Sequence, residues 1–196
     1  MEKVILIGGK AGQGSAVTSS FIGKIFCRLG FYVFNYRDYP SLIRGGHNFN
    51  VLTVSDKPIF SHKEKYDIIV ALDQKTIDLH QENLNRGGFV LGNNNLKAKK
   101  IISFDAQAIL NKLKAPKIFE NNILLGALFQ ELAVPKDIVF KVIREEFENP
   151  EKVKAIEAAI DEGYSLVSNK GLLKRMGQER YLISGNEAIC LGAIAA

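Results

Sequence analysis

Short β-branched runs alternate along this chain with longer stretches whose apolar positions recur every three to four residues. "KVILI" (3–7) ends at two glycines and reads as a buried strand. In the next stretch, "GSAVTSSFIGKIFCRLG", Val17, Phe21, Ile25 and Leu29 fall four apart, with Ile22 and Phe26 beside them. That spacing predicts one broad helical face, stopped by Gly30. "FYVFNY" (31–36) follows as a second strand, so the chain opens with a βαβ unit, which favours a parallel sheet. Further strands are predicted at "FNVLTVS" (49–55), "DIIVALD" (67–73) and "FVLGN" (89–93), with a weaker one in "KIISFDA". A helix near 74–84 and an "NRGG" turn complete this half. From residue 107 the pattern turns helical. "ENNILLGALFQEL" is apolar almost all round and should be buried, while "PKDIVFKVIREEF" and "NPEKVKAIEAAIDEGYSLV" each carry one apolar face, the latter behind an Asn-Pro cap signal. The expected class is α/β: three layers around a mostly parallel sheet, with a helix-rich C-terminal part.

Composition narrows the function classes. At 196 residues the chain suits one domain with a short appendage and needs no disulfide or metal to stabilise a core. No apolar stretch approaches the roughly 20 residues of a membrane helix, and "MEKVILIGG" reads as a first strand instead of a signal peptide. The formal charge of +5 suits an acidic ligand or partner. Its lysines and arginines are scattered, apart from "KAKK" and "KGLLKR", and form no stripe interleaved with aromatics, so a solvated basic face is favoured over a nucleic-acid surface. Cys27 and Cys190 have no cysteine or histidine at ligand spacing, which excludes an iron–sulfur cluster or structural zinc held by this chain and fits a reducing cytoplasm.

Two segments carry candidate chemistry. "GGKAGQGS" (8–15) joins a strand to a helix, the setting in which backbone N–H groups and the helix dipole hold phosphate. Gly9, Gly12 and Gly14 give G-x-x-G-x-G, the wrong order for the dinucleotide fingerprint, and Ser15 stands where a P-loop needs lysine. Glycines that only permit a tight turn are the alternative, although Gln13 between two of them has little packing value. The second segment, "RDYPSLIRGGHNFN" (37–50), connects two strands. In it Arg44 offers a planar fork of donors to a phosphate or carboxylate, and Gly45 and Gly46 allow close approach of backbone to a ligand. His47, beside that cation, should stay neutral.

These segments, with "VSDKPI", "DIIVALD", the "RGG" run, "NNILLGAL" and the "DEGY" helix, resemble the gamma region of 2-oxoacid:ferredoxin oxidoreductases over about residues 3–167. Ala11 departs from the glycine of many gamma chains. The resemblance implies a Rossmann-like gamma domain at 1–167. A linker at 168–180 would lead to "SGNEAICLGAIAA", which resembles the start of an alpha region (181–196) in the 2-oxoglutarate-like, gamma–alpha fused branch. It also implies oxidative decarboxylation of a 2-oxoacid to an acyl-CoA with reduction of ferredoxin. Thiamine diphosphate, magnesium and the iron–sulfur clusters would sit on the alpha and beta partner regions, and this chain would bind none of them alone. Its implied part is contact with coenzyme A and subunit assembly: Gly12, Gln13, Gly14 and Ser15 as donors, Arg44 as anion clamp, Gly45, Gly46, His47 and Asn48 shaping the contact. Packing of the Arg44 loop against partner chains competes with that role. A lone NAD(P)-dependent oxidoreductase and a non-catalytic nucleotide-binding scaffold remain as alternatives from other classes.

Overall fold

The computed structural model describes residues 1–40, 46–169 and 171–196. β1 (Glu2–Lys10) leads through the glycine turn into α1 (Ser15–Arg28). Then come β2 (Tyr32–Asp38), β3 (His47–Ser55), β4 (Tyr66–Ala71), α2 (Gln74–His80), β5 (Leu84–Asn93) and β6 (Ile101–Phe104). The remaining described α-helices are α3 (Ala106–Leu113), α4 (Glu120–Glu131), α5 (Lys136–Glu146), α6 (Pro150–Ser165) and α7 (Gly185–Ala195).

One sheet runs in the order β2-β3-β1-β4-β5-β6. The pairs β1–β4, β4–β5 and β5–β6 are parallel, and β3 is antiparallel to both β1 and β2. Residues 39–46 are too short for the crossover of a dozen or more residues that a parallel neighbour requires, so β3 turns straight back along β2. The expected βαβ unit is therefore present but split. β1 and β2 share a direction, and β3 lies between them.

Alternate residues of the central strands serve two cores. Ile5, Ile7, Leu52, Val54, Ile68 and Val70 belong to a large core with α1 and α3–α6. Val4, Leu6, Val51, Ile69 and Val90 form a smaller one with Ile77 of α2. Bulk on one face and a single short helix on the other leave the carboxyl edge of β1 and β4 between two differently covered layers.

Three expectations need correction. The buried face of α1 is Ser15, Thr18, Ser19, Ile22, Ile25 and Phe26, while Val17 is 72% exposed. The first turns of α1 meet a polar part of the sheet, where Ser19 Oγ donates to Asn35 Oδ1 at 2.8 Å, so small hydroxyl residues face inward and valine faces out. "NRGG" is no turn: β5 starts at Leu84, opposite Tyr66, and the register shifts before Ile68 meets Phe89. The helix expected to reach 84 stops at His80 and gives way to a 3₁₀ turn at Gln81–Asn83.

The C-terminal helices pack at backbone distance. A Cβ on Gly126 would lie 2.0 Å from Ile160 O, and one on Gly163 would lie 2.2 Å from Ile123 O, so α4 and α6 cross where neither has a side chain. The described residues of 168–180 form no helix or strand but are strapped to the domain. Met176 N donates to Leu29 O and Arg180 N to Cys27 O, each at 2.8 Å, and the Arg180 guanidinium lies 3.7 Å over the Tyr32 ring. α7 opens on a capping box between Ser184 and Glu187, and none of its residues is buried.

Candidate functional site

The glycine turn stands at the carboxyl edge of the sheet, where β1 and β4 lie side by side and Leu72 N donates to Gly8 O at 2.9 Å. In open α/β sheets ligands settle at this edge, where the chain leaves neighbouring strands for opposite faces. α1 follows β1 on one face and α2 follows β4 on the other. Gly12 and Gly14 have φ of 90° and 84°, a left-handed conformation costing other residues about 1–2 kcal/mol. Gly14 is the N-cap of α1 and brings no side chain to cap it, and the first turn of α1 holds no acidic residue. Its leading N–H groups and positive dipole end are thus left for an anion. The neighbouring helix ends are already neutralised. Asp73 accepts from Thr76 N at the start of α2, Asp105 from Ala108 N at the start of α3, and Glu120 occupies the first turn of α4.

Gln13 does not hang free in the turn. Its side chain accepts from Lys10 N and donates to Leu72 O at 3.3 Å, tying the turn to the segment after β4. Ser15 begins α1 and is buried. Asn121, on the first turn of α4, donates from Nδ2 to Gln13 O at 2.8 Å and holds the turn from the far side. Sequence reading passed over Asn121; its signal was a pair of amides opening an otherwise apolar helix.

The second segment meets the first through strand register. His47 pairs with Lys10 and Asn48 with Gly9 across β3 and β1, and Ala11 N donates to Gly46 O at 3.1 Å. His47 and Asn48 are strand residues, two positions before the predicted strand start. Gly46 leaves room for Pro40, whose Cγ would lie 2.1 Å from a Cβ there. Arg44 and Gly45 lie outside the described residues. Gly12–Ser15 and Gly46–Asn48, separated in sequence, are therefore neighbours on one edge.

His47 Nε2 lies 3.0 Å from His80 Nε2, so the two rings share one hydrogen bond and resist a second proton. Burial pushes His80 down to about 4, with the His47 ring adding to it and Asp38 opposing. Burial likewise lowers His47, Asp73 opposing and Lys75 assisting. Neutrality of His47 thus has its main source in burial. Among the described residues no group of three or more His, Cys, Asp or Glu is placed to hold a metal. Both folded-state values lie below the ordinary 6.5, so the unfolded chain binds protons that the folded one refuses. Stability should fall as pH drops through 6.5 and level off near 4. His80→Gln should flatten that fall, as checked by urea-unfolding midpoints at pH 7.5 and 5.

Cavities flank the turn on both sides. A cleft of about 880 Å³ opens over the carboxyl ends of β4–β6, lined by polar groups that include Asp73, Asn94, Asp105 and Glu120. On the other side, a slot of about 290 Å³ runs between α1, α4 and α6, walled by Val17, Phe21, Ile118, Phe147 and Ile156. Gly12 and Gln13 also line a smaller cavity of about 170 Å³ with Ile118 and Asn121.

Residues 4–166 match the family model described as pyruvate ferredoxin/flavodoxin oxidoreductase. The chain belongs to that family. Among curated relatives of this oxidoreductase family, it is 22% identical to a 2-oxoacid:ferredoxin oxidoreductase subunit alpha of Sulfolobus sp., with 96% of this chain and 38% of that one aligned. The chain thus spans well under half the length of that relative. Its fold matches a 2-oxoglutarate:ferredoxin oxidoreductase from Magnetococcus marinus, solved with 2-oxoglutarate, coenzyme A and succinyl-CoA bound. The TM-score is 0.82 at 18% identity, covering 98% of this chain and 37% of the other. The pyruvate oxidoreductase subunit PORC of Thermotoga maritima gives 0.71 at 24% identity, over 84% of this chain and 96% of that subunit. At these identities the structural likeness is one of fold. No helix of the described residues is long and apolar enough to cross a membrane.

Proposed function

We propose that this chain is the gamma-type component of a 2-oxoacid:ferredoxin oxidoreductase that presents the glycine turn and the adjoining Gly46–Asn48 edge, with Arg44, to coenzyme A. Family membership supports the reaction class, oxidative decarboxylation of a 2-oxoacid to an acyl-CoA with ferredoxin as electron acceptor. Thiamine diphosphate with magnesium would supply the decarboxylation chemistry and iron–sulfur clusters the electron transfer, both held on partner alpha and beta regions.

What the chain's own residues contribute is position and charge. The observation that carries this reading is the uncapped, acid-free N-terminus of α1 beside the Gly46–Asn48 edge, in a row of helix ends otherwise neutralised by carboxylates. Backbone N–H groups from Gly12 to Ser15 donate to the coenzyme's diphosphate, and Arg44 clamps a second phosphate oxygen pair. Gln13 acts by bracing the turn against Leu72, so its amide shapes the donor set more than it extends it. Residues 1–167 form the gamma domain, and 181–196, which include the exposed α7, are the start of an alpha region. The cytoplasm is the proposed location. A stand-alone NAD(P) enzyme is disfavoured because the glycine order places no fingerprint on the turn.

Arg44→Ala, made in the assembled enzyme, should raise the KM for coenzyme A about tenfold or more while leaving the KM for the oxoacid unchanged. An unchanged coenzyme A KM in an intact assembly removes the clamp. Loss of co-eluting subunits assigns Arg44 to the interface.

A further inference from the structure

We propose that the apolar slot between α1, α4 and α6 holds the adenine-type ring of the ligand whose diphosphate lies on the glycine turn. The inference rests on the coenzyme A reading above and adds a direction to it: the ligand leaves the turn toward the slot and away from the larger cleft.

Both cavities touch the turn, so either could receive what extends beyond the phosphates. Their chemistry separates them. The large cleft sets three carboxylates, Asp73, Asp105 and Glu120, against two lysines, Lys97 and Lys117, so a polyphosphate ligand extending into it meets a lining that is negative on balance. Asp73 and Asp105 are committed as helix caps, and Glu120 accepts from Asn93, so each carboxylate is held in place. The slot contains no carboxylate. Its walls are apolar, with Phe21 and Phe147 offering ring surface, and its polar lining consists of amides, the Thr18 hydroxyl and Lys152. A planar heterocycle needs apolar faces and a few edge donors and acceptors, which is the composition of such pockets in general.

Two further features fit this occupant. Val17 and Ile118 stand at the mouth 72% and 80% exposed, an arrangement unusual for aliphatic side chains this close together and one that a bound ring would cover. Lys152 Nζ sits 4.6 Å from the Phe147 ring centroid, which keeps a cation beside the slot for a phosphate on the ribose next to the base. The volume of about 290 Å³ accommodates a ring system with its sugar.

The test uses the purified chain in the assembly it forms and a double variant, Val17→Ser with Ile118→Ser. Both positions are exposed and both changes are neutral in charge, so neither the fold nor the field at the turn is disturbed. Calorimetric titration compares coenzyme A with 4′-phosphopantetheine, which lacks the nucleotide. The double variant should weaken coenzyme A about tenfold and leave 4′-phosphopantetheine unchanged. Unchanged coenzyme A affinity, or equal loss for both ligands, overturns the slot assignment while leaving the turn's role standing. Failure of the unaltered assembly to bind coenzyme A at all removes the reading under Proposed function and the slot assignment with it. Loss of a partner chain from the variant with coenzyme A affinity retained assigns the slot to a subunit contact and overturns the proposal.

Discussion

Gly126→Ala should lower the melting temperature by about 4–8 °C, the effect of a net loss of about 2 kcal/mol in a chain of this size. The sign is the informative part. In an exposed helix the same change stabilises by about 1 kcal/mol, because alanine has the highest helix propensity and glycine one of the lowest. Here the new methyl would lie 2.0 Å from Ile160 O and 2.9 Å from Gly163 Cα. Both are backbone atoms of α6, so no rotamer change relieves the overlap and the whole helix must retreat. Overpacking of this kind costs typically about 1–3 kcal/mol and more where the backbone has to shift. α6 also supplies Ile156 to the slot wall, so its displacement reaches the functional edge. Gly163→Ala should act alike, and the double variant should lose less than the sum, since one separation of the helices accommodates both methyls. A melting temperature that stays constant or rises in Gly126→Ala would show that α4 and α6 do not cross at these glycines.

Gly12→Asp should weaken coenzyme A at least about fivefold more than Gly12→Asn does. A Cβ at Gly12 would have nothing within 4 Å, so the two variants share a small backbone penalty at φ 90° and differ only in charge. Asn and Asp are also the residues that enter the left-handed region most readily, which keeps that penalty low. A carboxylate about 4 Å from a phosphate charge costs about 1 kcal/mol in bulk water and about 4 kcal/mol at the effective dielectric of a protein surface. That spans a factor of about 5 to about 1000 in affinity. The ratio of the coenzyme A KM values of the two variants reads this charge term with the steric term cancelled. A ratio near one would mean that no anion comes near the turn.

Strands and helices were legible wherever the apolar period was clean. "KVILI", the apolar "ILLGALF" and the Asn-Pro start of α6 all took the predicted form, and Asn149 caps α6 by accepting from Glu151 N and Lys152 N. Failure came where side-chain polarity and burial part company. Ser15, Thr18 and Ser19 point inward because the sheet beneath them carries Asn35, which no one-dimensional hydrophobic pattern records. "NRGG" looked like a turn on composition, yet it opens a strand because β4 supplies a partner at Tyr66. Residues 168–180 read as a linker, and the backbone bonds that strap Met176 and Arg180 down involve Leu29 and Cys27, far away in sequence.

The functional edge divides in the same way. The glycine turn could be read locally, since strand, glycines and helix follow one another. That Gly46–Asn48 lie against it depends on β3 running antiparallel to β1, a long-range pairing set by a connection too short to cross over. Asn121 joins the site only through the fold of the C-terminal helices. Its contact with Gln13 O makes the turn's shape depend on where α4 sits, which links the packing prediction at Gly126 to the binding predictions at the edge.

The measurement that decides most directly is the structure of the assembled enzyme with coenzyme A bound. The account predicts diphosphate oxygens about 3 Å from the backbone nitrogens of residues 12–15, with the adenine directed between Val17 and Ile118. A coenzyme A diphosphate that lies elsewhere in the assembly, with the turn packed against protein, would contradict it.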